Sequence, residues 1–283
     1  MASDERSRAT RHRAEEVLVR LALLAGPHVS DFVVIGGLNP DFLAPDSPYP
    51  HLGTTDVDLL FELGLSFERD DQDFEWLDQA LEAAQFHPRS GDHGWQWNGV
   101  LGDSVVRLDL LSDVYDHPGQ PMALPGATRA RVQNFRGPAA ALHDPIERNL
   151  RVPTAILAEL PGAPDAVRLK FASLGGYLAA KSAAMMSRGE DKDAYDLAFV
   201  IMYAPRGPRA AAAAVAEVRL PPHVEPVREI VVEAVSKLAD PASGIVGAVV
   251  LQLNQAGDDS PTEQLRVDVS QSAQAFLRGL ESA

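Results

Sequence analysis

The chain has no cysteine, which excludes disulfides and thiolate metal sites. It has no apolar run near the roughly 18–20 residues that a membrane span needs. Its first residues are Arg-rich and polar, without the apolar core of a secretory leader. The expectation is a cytoplasmic protein with no membrane partner. Basic residues are in deficit, with 25 Lys and Arg against 40 Asp and Glu, a formal charge of −15 at pH 7. That balance argues against a surface built as a whole to grip nucleic acid, but leaves room for a local basic groove. Aromatics are few, at 6%, yet apolar residues make up 46% of the 283 and charged residues 23%, a composition that supplies ample core.

What is present centres on Val33-Val34-Ile35-Gly36-Gly37 and on Thr54-Thr55-Asp56-Val57-Asp58-Leu59-Leu60. An apolar run that breaks at paired glycines reads as a strand entering a tight turn, where backbone N–H groups can approach a phosphate. The second stretch sets two carboxylates at i and i+2, hence on one face of a strand, with Val57 on the other. Two adjacent carboxylates repel unless a cation neutralises them, and Mg²⁺ is the usual answer when a triphosphate is also held.

Around these stretches, hydrophobic spacing predicts an amphipathic helix over 14–24, a strand over 31–35 and a strand over 55–63. A long loop between the strands carries Pro40, Pro45, Pro48, Pro50 and Gly53, with one helical turn over 40–43; a loop of that length in a compact domain is a functional candidate. A helix is predicted over 74–86, and a hairpin from Trp95–Trp97 and Val105–Leu111 through a turn at Asn98–Asp103. Residues 113–125 read as loop, 129–135 as a short strand and 168–171 as a last strand. Ser173 caps a helix to about 187, and helices follow over 191–204, 209–218, 224–238, 242–255 and 262–280. The fold class is α+β, with a mixed sheet and flanking helices over 1–150 and a mainly helical half over 151–283.

Asp109, in the strand Val105-Val106-Arg107-Leu108-Asp109, supplies a third carboxylate on a strand placed to pair beside Asp56 and Asp58. Three carboxylates on adjacent strands beside a Gly-Gly turn are what two-metal phosphoryl transfer requires. Asp56, Asp58 and Asp109 are the candidate catalytic and metal-binding residues, with Mg²⁺ or Mn²⁺ as cofactor. Gly36, Gly37, Thr54 and Thr55 are candidates for contact with the phosphates. Haloacid dehalogenase phosphatases also use Asp-x-Asp, but they want Thr or Val where Leu60 stands. Metal-dependent glycosyltransferases place a larger nucleotide-binding segment before theirs.

Gly-Gly, then Thr-x-Asp-Val-Asp-Leu, then a strand Asp, resembles the nucleotidyltransferase superfamily that includes DNA polymerase β and the kanamycin nucleotidyltransferases. Lys181–Arg188 followed by Asp191-Lys192-Asp193-Ala194-Tyr195-Asp196-Leu197 resembles a segment of AbiEii-type nucleotidyltransferases, a group that contains toxins of toxin–antitoxin and phage-defence systems. The resemblance spans about residues 31–200. It implies a nucleotidyltransferase-like sheet, and Mg²⁺-dependent transfer of a nucleoside monophosphate from an NTP to an acceptor hydroxyl, the acceptor being a tRNA 3′ end or a protein side chain. It also implies a cognate antitoxin. Lys181 would contact the NTP phosphates from the helical half. Asp193 and Asp196 would either fix Lys181 or Arg188 or contact the nucleotide.

Two positions depart from that pattern: Leu38 stands where a hydroxyl follows the glycines, and Leu52 where a basic residue is common. Asn39, Thr54 and His51 are the candidate substitutes for the missing hydroxyl. The departures keep open a nucleotide- or protein-binding module with weak or lost catalysis. The acidic balance keeps open a nucleotidyltransferase acting on a cationic small molecule of the aminoglycoside type. If RNA is the acceptor, its surface is expected among Arg129, Arg131, Arg136, Arg148 and Arg151, or at Arg168 and Lys170.

Overall fold

The computed structural model describes residues 6–64, 71–101, 104–220 and 227–283. Two compact units divide the chain, and the border crosses it more than once. The first unit holds the residues up to Leu38, Thr54–Arg136 and Pro145–Phe171; the second holds Asn39–Gly53, Gly137–Asp144 and Ala172–Ala283.

The first unit opens with α1 (Arg8–Ala25), started by a reciprocal cap in which Ser7 Oγ accepts from the Thr10 amide and Thr10 Oγ1 accepts from the Ser7 amide. Its buried stripe, Ala14, Val17, Leu18, Leu21 and Ala22, has the helical period that the sequence predicts. β1 (Phe32–Ile35) is buried at all four positions and runs directly into a tight turn over Gly36–Leu38. The other strands are β2 (Asp56–Phe61), β3 (His87–Pro88), β4 (Gln96–Leu101), β5 (Ser104–Ser112), β6 (Pro121–Ala123), β7 (Arg131–Asn134), β8 (Ile146–Arg151) and β9 (Ala166–Phe171). They form one mixed sheet whose main path is β3-β4-β5-β2-β1-β9-β8, with β7 pairing β5 and β6. β2 runs antiparallel to β1 and parallel to β5, and β4 and β5 make the predicted hairpin. Of its expected turn over Asn98–Asp103, Asn98–Leu101 instead continue β4 and pair with β5, and Gly102 and Asp103 lie outside the described residues.

Pleating gives β2 two unlike faces: Val57, Leu59 and Phe61 are buried on one side, while Asp56 and Asp58 point to the other and keep some exposure. α3 (Glu75–Ala83) and α4 (Thr154–Glu159) complete this unit. Three details differ from the expectation. Residues 113–125 contain β6, which pairs β7 from Pro121↔Gln133 to Ala123↔Arg131. Residues 146–151, to which the sequence reading assigns no element, form β8 and pair antiparallel with β9. β9 itself starts two residues before 168, because Val167, Leu169 and Phe171 alternate inward against outward Ala166, Arg168 and Lys170. The last segment of the sheet unit, Pro145–Phe171, carries β8, α4 and β9.

The second unit is helical: α2 (Pro40–Leu43), α5 (Leu174–Arg188), α6 (Asp191–Tyr203), α7 (Pro208–Ala216), α8 (Val227–Ser236), α9 (Gly244–Gln255) and α10 (Thr262–Glu281). Ser173 caps α5 by accepting from the Gly176 amide at 3.3 Å. α6 is apolar almost all round, with Tyr195, Leu197, Phe199 and Val200 buried, because α2, α5, α7, α9 and α10 each pack against it. The architecture is α+β, a mixed sheet with flanking helices and a helical C-terminal part. No described helix is long and apolar enough to cross a membrane.

Candidate active site

The polar face of the sheet is assembled by strand register. Asp58 lies opposite Asp109 on the parallel neighbour, and Asp56 lies opposite Arg107. On the far side of β5, Gln96 pairs Asp109 and Asn98 pairs Arg107. Cross-strand partners share a face, so one row holds Gln96, Asp109 and Asp58, and the row beside it holds Asn98, Arg107 and Asp56. On the near side Asp58 pairs Ile35, the last residue before Gly36.

Gly36 is required where it stands. Its φ is +72°, and a Cβ there would fall 1.9 Å from Asp58 Oδ2. A Cβ on Gly37 would fall 2.5 Å from Thr54 Cβ. The glycine pair therefore lets the main chain close onto the carboxylate strand, where a side chain would displace it.

Asp109 is buried, and its pKa is pushed up to about 7. Desolvation is the main cause and the charge of Asp58 the next; Arg107 and a hydrogen bond from Gln96 pull the other way. Gln96 Nε2 donates to Asp109 Oδ1 at 3.2 Å, and Arg107 Nε stands 3.2 Å from the same oxygen as an ion-pair contact. The other arm of Arg107 donates through Nη2 to Asp56 Oδ2, while Thr55 Oγ1 donates to Asp56 Oδ1 at 3.0 Å. Thr54 Oγ1 accepts from the Asp56 amide at 3.2 Å. Both threonines, predicted to face phosphates, have their hydroxyls on the first residue of β2.

Among the described residues no group of three His, Cys, Asp or Glu side chains is arranged to cage a metal ion. Both oxygens of Asp56 accept hydrogen bonds, one from Arg107 and one from Thr55. Asp58 and Asp109 meet a smaller demand. Mg²⁺ is often held by one or two carboxylates together with substrate phosphates, and a buried Asp109 raised by the charge of Asp58 is a place that a cation would relieve.

The second unit carries its own charged group, with all members on its own elements. Lys181 Nζ donates to Asp193 Oδ1 at 3.1 Å and to Asp196 Oδ2 at 3.0 Å. Arg188 adds bonds to both oxygens of Asp193, at 2.8 and 3.1 Å. The remaining oxygen of Asp196 lies 3.0 Å from His51 Nε2. Since the Gly53 amide donates to His51 Nδ1 at 3.2 Å, the ring is a neutral tautomer with its proton on Nε2, donated to Asp196. His51, Lys181, Asp193 and Asp196 are all buried, and the two carboxylates raise the Lys181 ammonium above the usual lysine range despite its desolvation. His51 also stacks on Tyr195, with ring centroids 5.0 Å apart, and Tyr195 Oη accepts from the Leu52 amide at 3.0 Å. The loop that ends at Gly53 is thereby pinned to α6.

Register thus brings Asp56, Asp58 and Asp109 onto one face beside Gly36 and Gly37, while Lys181, Asp193 and Asp196 gather on α5 and α6. Sequence reasoning missed one participant, Arg107, and one bond of a residue it did name, His51. Arg107 had a readable signal, its i, i+2 relation to Asp109. The bond from His51 to Asp196 had none, because it joins residues 145 positions apart.

No known protein family and no curated protein sequence matches this chain. Among solved structures it is similar to a protein of H. pylori provisionally named a nucleotidyltransferase, with a TM-score of 0.46 and 12% identity over 96% of each chain.

Proposed function

We propose that the carboxylate face and the Gly36-Gly37 turn form a nucleotidyl-transfer site that moves a nucleoside monophosphate from an NTP to an acceptor hydroxyl and releases pyrophosphate. The observation that carries this reading is the register of Asp58 and Asp109 on neighbouring parallel strands, with Gly36 closed against Asp58. Main-chain N–H groups of the glycine turn would receive the triphosphate. Asp109, on the strand beside Asp58, would take or orient the acceptor proton as the new P–O bond forms and the bond to pyrophosphate breaks. Mg²⁺ or Mn²⁺ would be held by Asp58 and Asp109, and when bound would neutralise charge on the phosphates. Thr54 and Thr55 shape the entry to β2, and Lys181 with Asp193 and Asp196 holds α5 to α6. The finer part of the proposal follows the resemblance of residues 181–197: an AbiEii-like toxin or defence role, a tRNA 3′ end or protein side chain as acceptor, and a cognate antitoxin partner.

Incubation of the purified protein with Mg²⁺, each labelled NTP, total tRNA and cell lysate tests this. Label transfer by wild type and not by Asp58→Ala is expected; equal labelling by the two would refute the enzyme. A second reading, a nucleotide-binding module without turnover, is favoured by the aliphatic, buried Leu38 after the glycines. Calorimetry separates the two, since the module should bind NTP with little dependence on Mg²⁺.

A further inference from the structure

Arg107 is hydrogen-bonded to Asp56 and in ion-pair contact with Asp109, two of the three aspartates that the site offers. Its guanidinium reaches Asp56 Oδ2 through Nη2 and approaches Asp109 Oδ1 through Nε at 3.2 Å, bridging the two rows of the carboxylate face. A second metal ion coordinated by Asp56 and shared with Asp109 would have to take that same place. An arginine does not lose its proton in a protein, so the place stays cationic at every working pH. The planar fork also matches carboxylate geometry, and the arginine side chain is only 30% exposed, with Asp56 and Asp109 less so.

Charge points the same way in the nucleotide-free site. With all three carboxylates ionised, as a bound cation would require, they carry −3 and Arg107 returns +1, leaving −2 for a single divalent ion to balance. Register leaves Asp58 and Asp109 as the pair for that ion, one step along both strands from the Asp56–Arg107 pair.

We infer that Arg107 is a built-in stand-in for one of the two cations of a three-carboxylate site, so that this chain binds one divalent ion, on Asp58 and Asp109, rather than two. The inference rests on the nucleotidyl-transfer reading and adds an ion count and a further positioning residue to it. Arg107 holds Asp56 and Asp109 at their spacing without itself touching the phosphates.

Mn²⁺ alone, titrated into the metal-stripped full chain and counted by the loss of its free paramagnetic signal, tests the inference. One ion per wild-type chain is expected. Arg107→Gln should bind two, because the freed Asp56 and Asp109 regain a shared place for a cation, whereas Arg107→Lys should stay at one. Circular dichroism and thermal melting of both variants separate a changed count from a lost fold, and the wild-type count stands whatever the variants do. Two ions on wild type would overturn the inference and leave the site reading intact, as would an Arg107→Gln that folds and binds one. No Mn²⁺ on wild type, or an equal count on wild type and Asp58→Asn, would instead sink the metal site on which the inference rests.

Discussion

At the scale of single residues, Gly36 and Asp109 constrain each other through Asp58. Alanine at Gly36 meets two penalties together: a left-handed φ of +72° and a Cβ placed 1.9 Å from Asp58 Oδ2. We expect Gly36→Ala to lower stability by about 1–3 kcal/mol and to abolish label transfer, because Asp58 must move. Chemical denaturation and the transfer assay read the two effects. Asp109 predicts a pH dependence of the metal-free protein. Its folded pKa, about 7, lies above the ordinary aspartate value of 3.8 that holds in the unfolded chain, so the folded state binds the extra proton between those values and stability falls as pH rises through that window. Between pH 5.5 and 7.5 the loss should be about 2 kcal/mol in wild type. It should largely vanish in Asp109→Asn, as denaturant melts at the two pH values would record. A wild-type profile that rises over that interval in parallel with the variant would contradict the assigned environment.

At the scale of elements, α5 and α6 are joined by charge buried in an otherwise apolar contact. Removing the ammonium leaves two buried carboxylates to share less positive charge: after Lys181→Met, Asp193 keeps Arg188 and Asp196 keeps the His51 ring. We expect the substitution to cost about 3–5 kcal/mol. The raised lysine pKa makes this contribution fully present below the ordinary lysine range, so it should be constant from pH 5 to 9. A melting temperature unchanged in Lys181→Met, with only the KM for NTP increased, would return Lys181 to the phosphate role that its sequence context suggests. The same contrast explains what could be read from the chain. Strand period alone fixes which face Asp56 and Asp58 share, and a glycine pair ending an apolar strand announces a close approach, so the carboxylate face was legible. The partners of those carboxylates depend on register, which period does not supply: whether Arg107 meets Asp56 is decided by how β5 slides along β2. Likewise β8 was hidden, because Glu147, Arg148, Asn149 and Arg151 give it little apolar alternation, and its pairing with β9 is what makes it a strand.

At the scale of the whole molecule, a net charge of −15 bears on the acceptor. Three of the arginines that could offset it for RNA are held within their own neighbourhood. Arg129 lies over the ring of Trp97 and donates to the Asp92 carbonyl, Arg131 donates to the carbonyls of Thr128 and Ala130, and Arg136 donates to the Tyr115 carbonyl. Guanidinium groups held on main-chain oxygens keep their charge but lose reach, so few phosphates can be neutralised at once. Binding that neutralises Z phosphates loses affinity with salt at a log–log slope of roughly −0.7Z for single strands. We therefore expect any tRNA acceptor to be engaged through its single-stranded 3′ end alone, with the KM for tRNA changing at a slope no steeper than about −2 between 50 and 200 mM salt. A protein acceptor should show almost no slope. A slope near −5 or beyond would mean that a broad basic surface grips the RNA body despite the acidic whole, and the assignment of these arginines to their own loops would then be wrong.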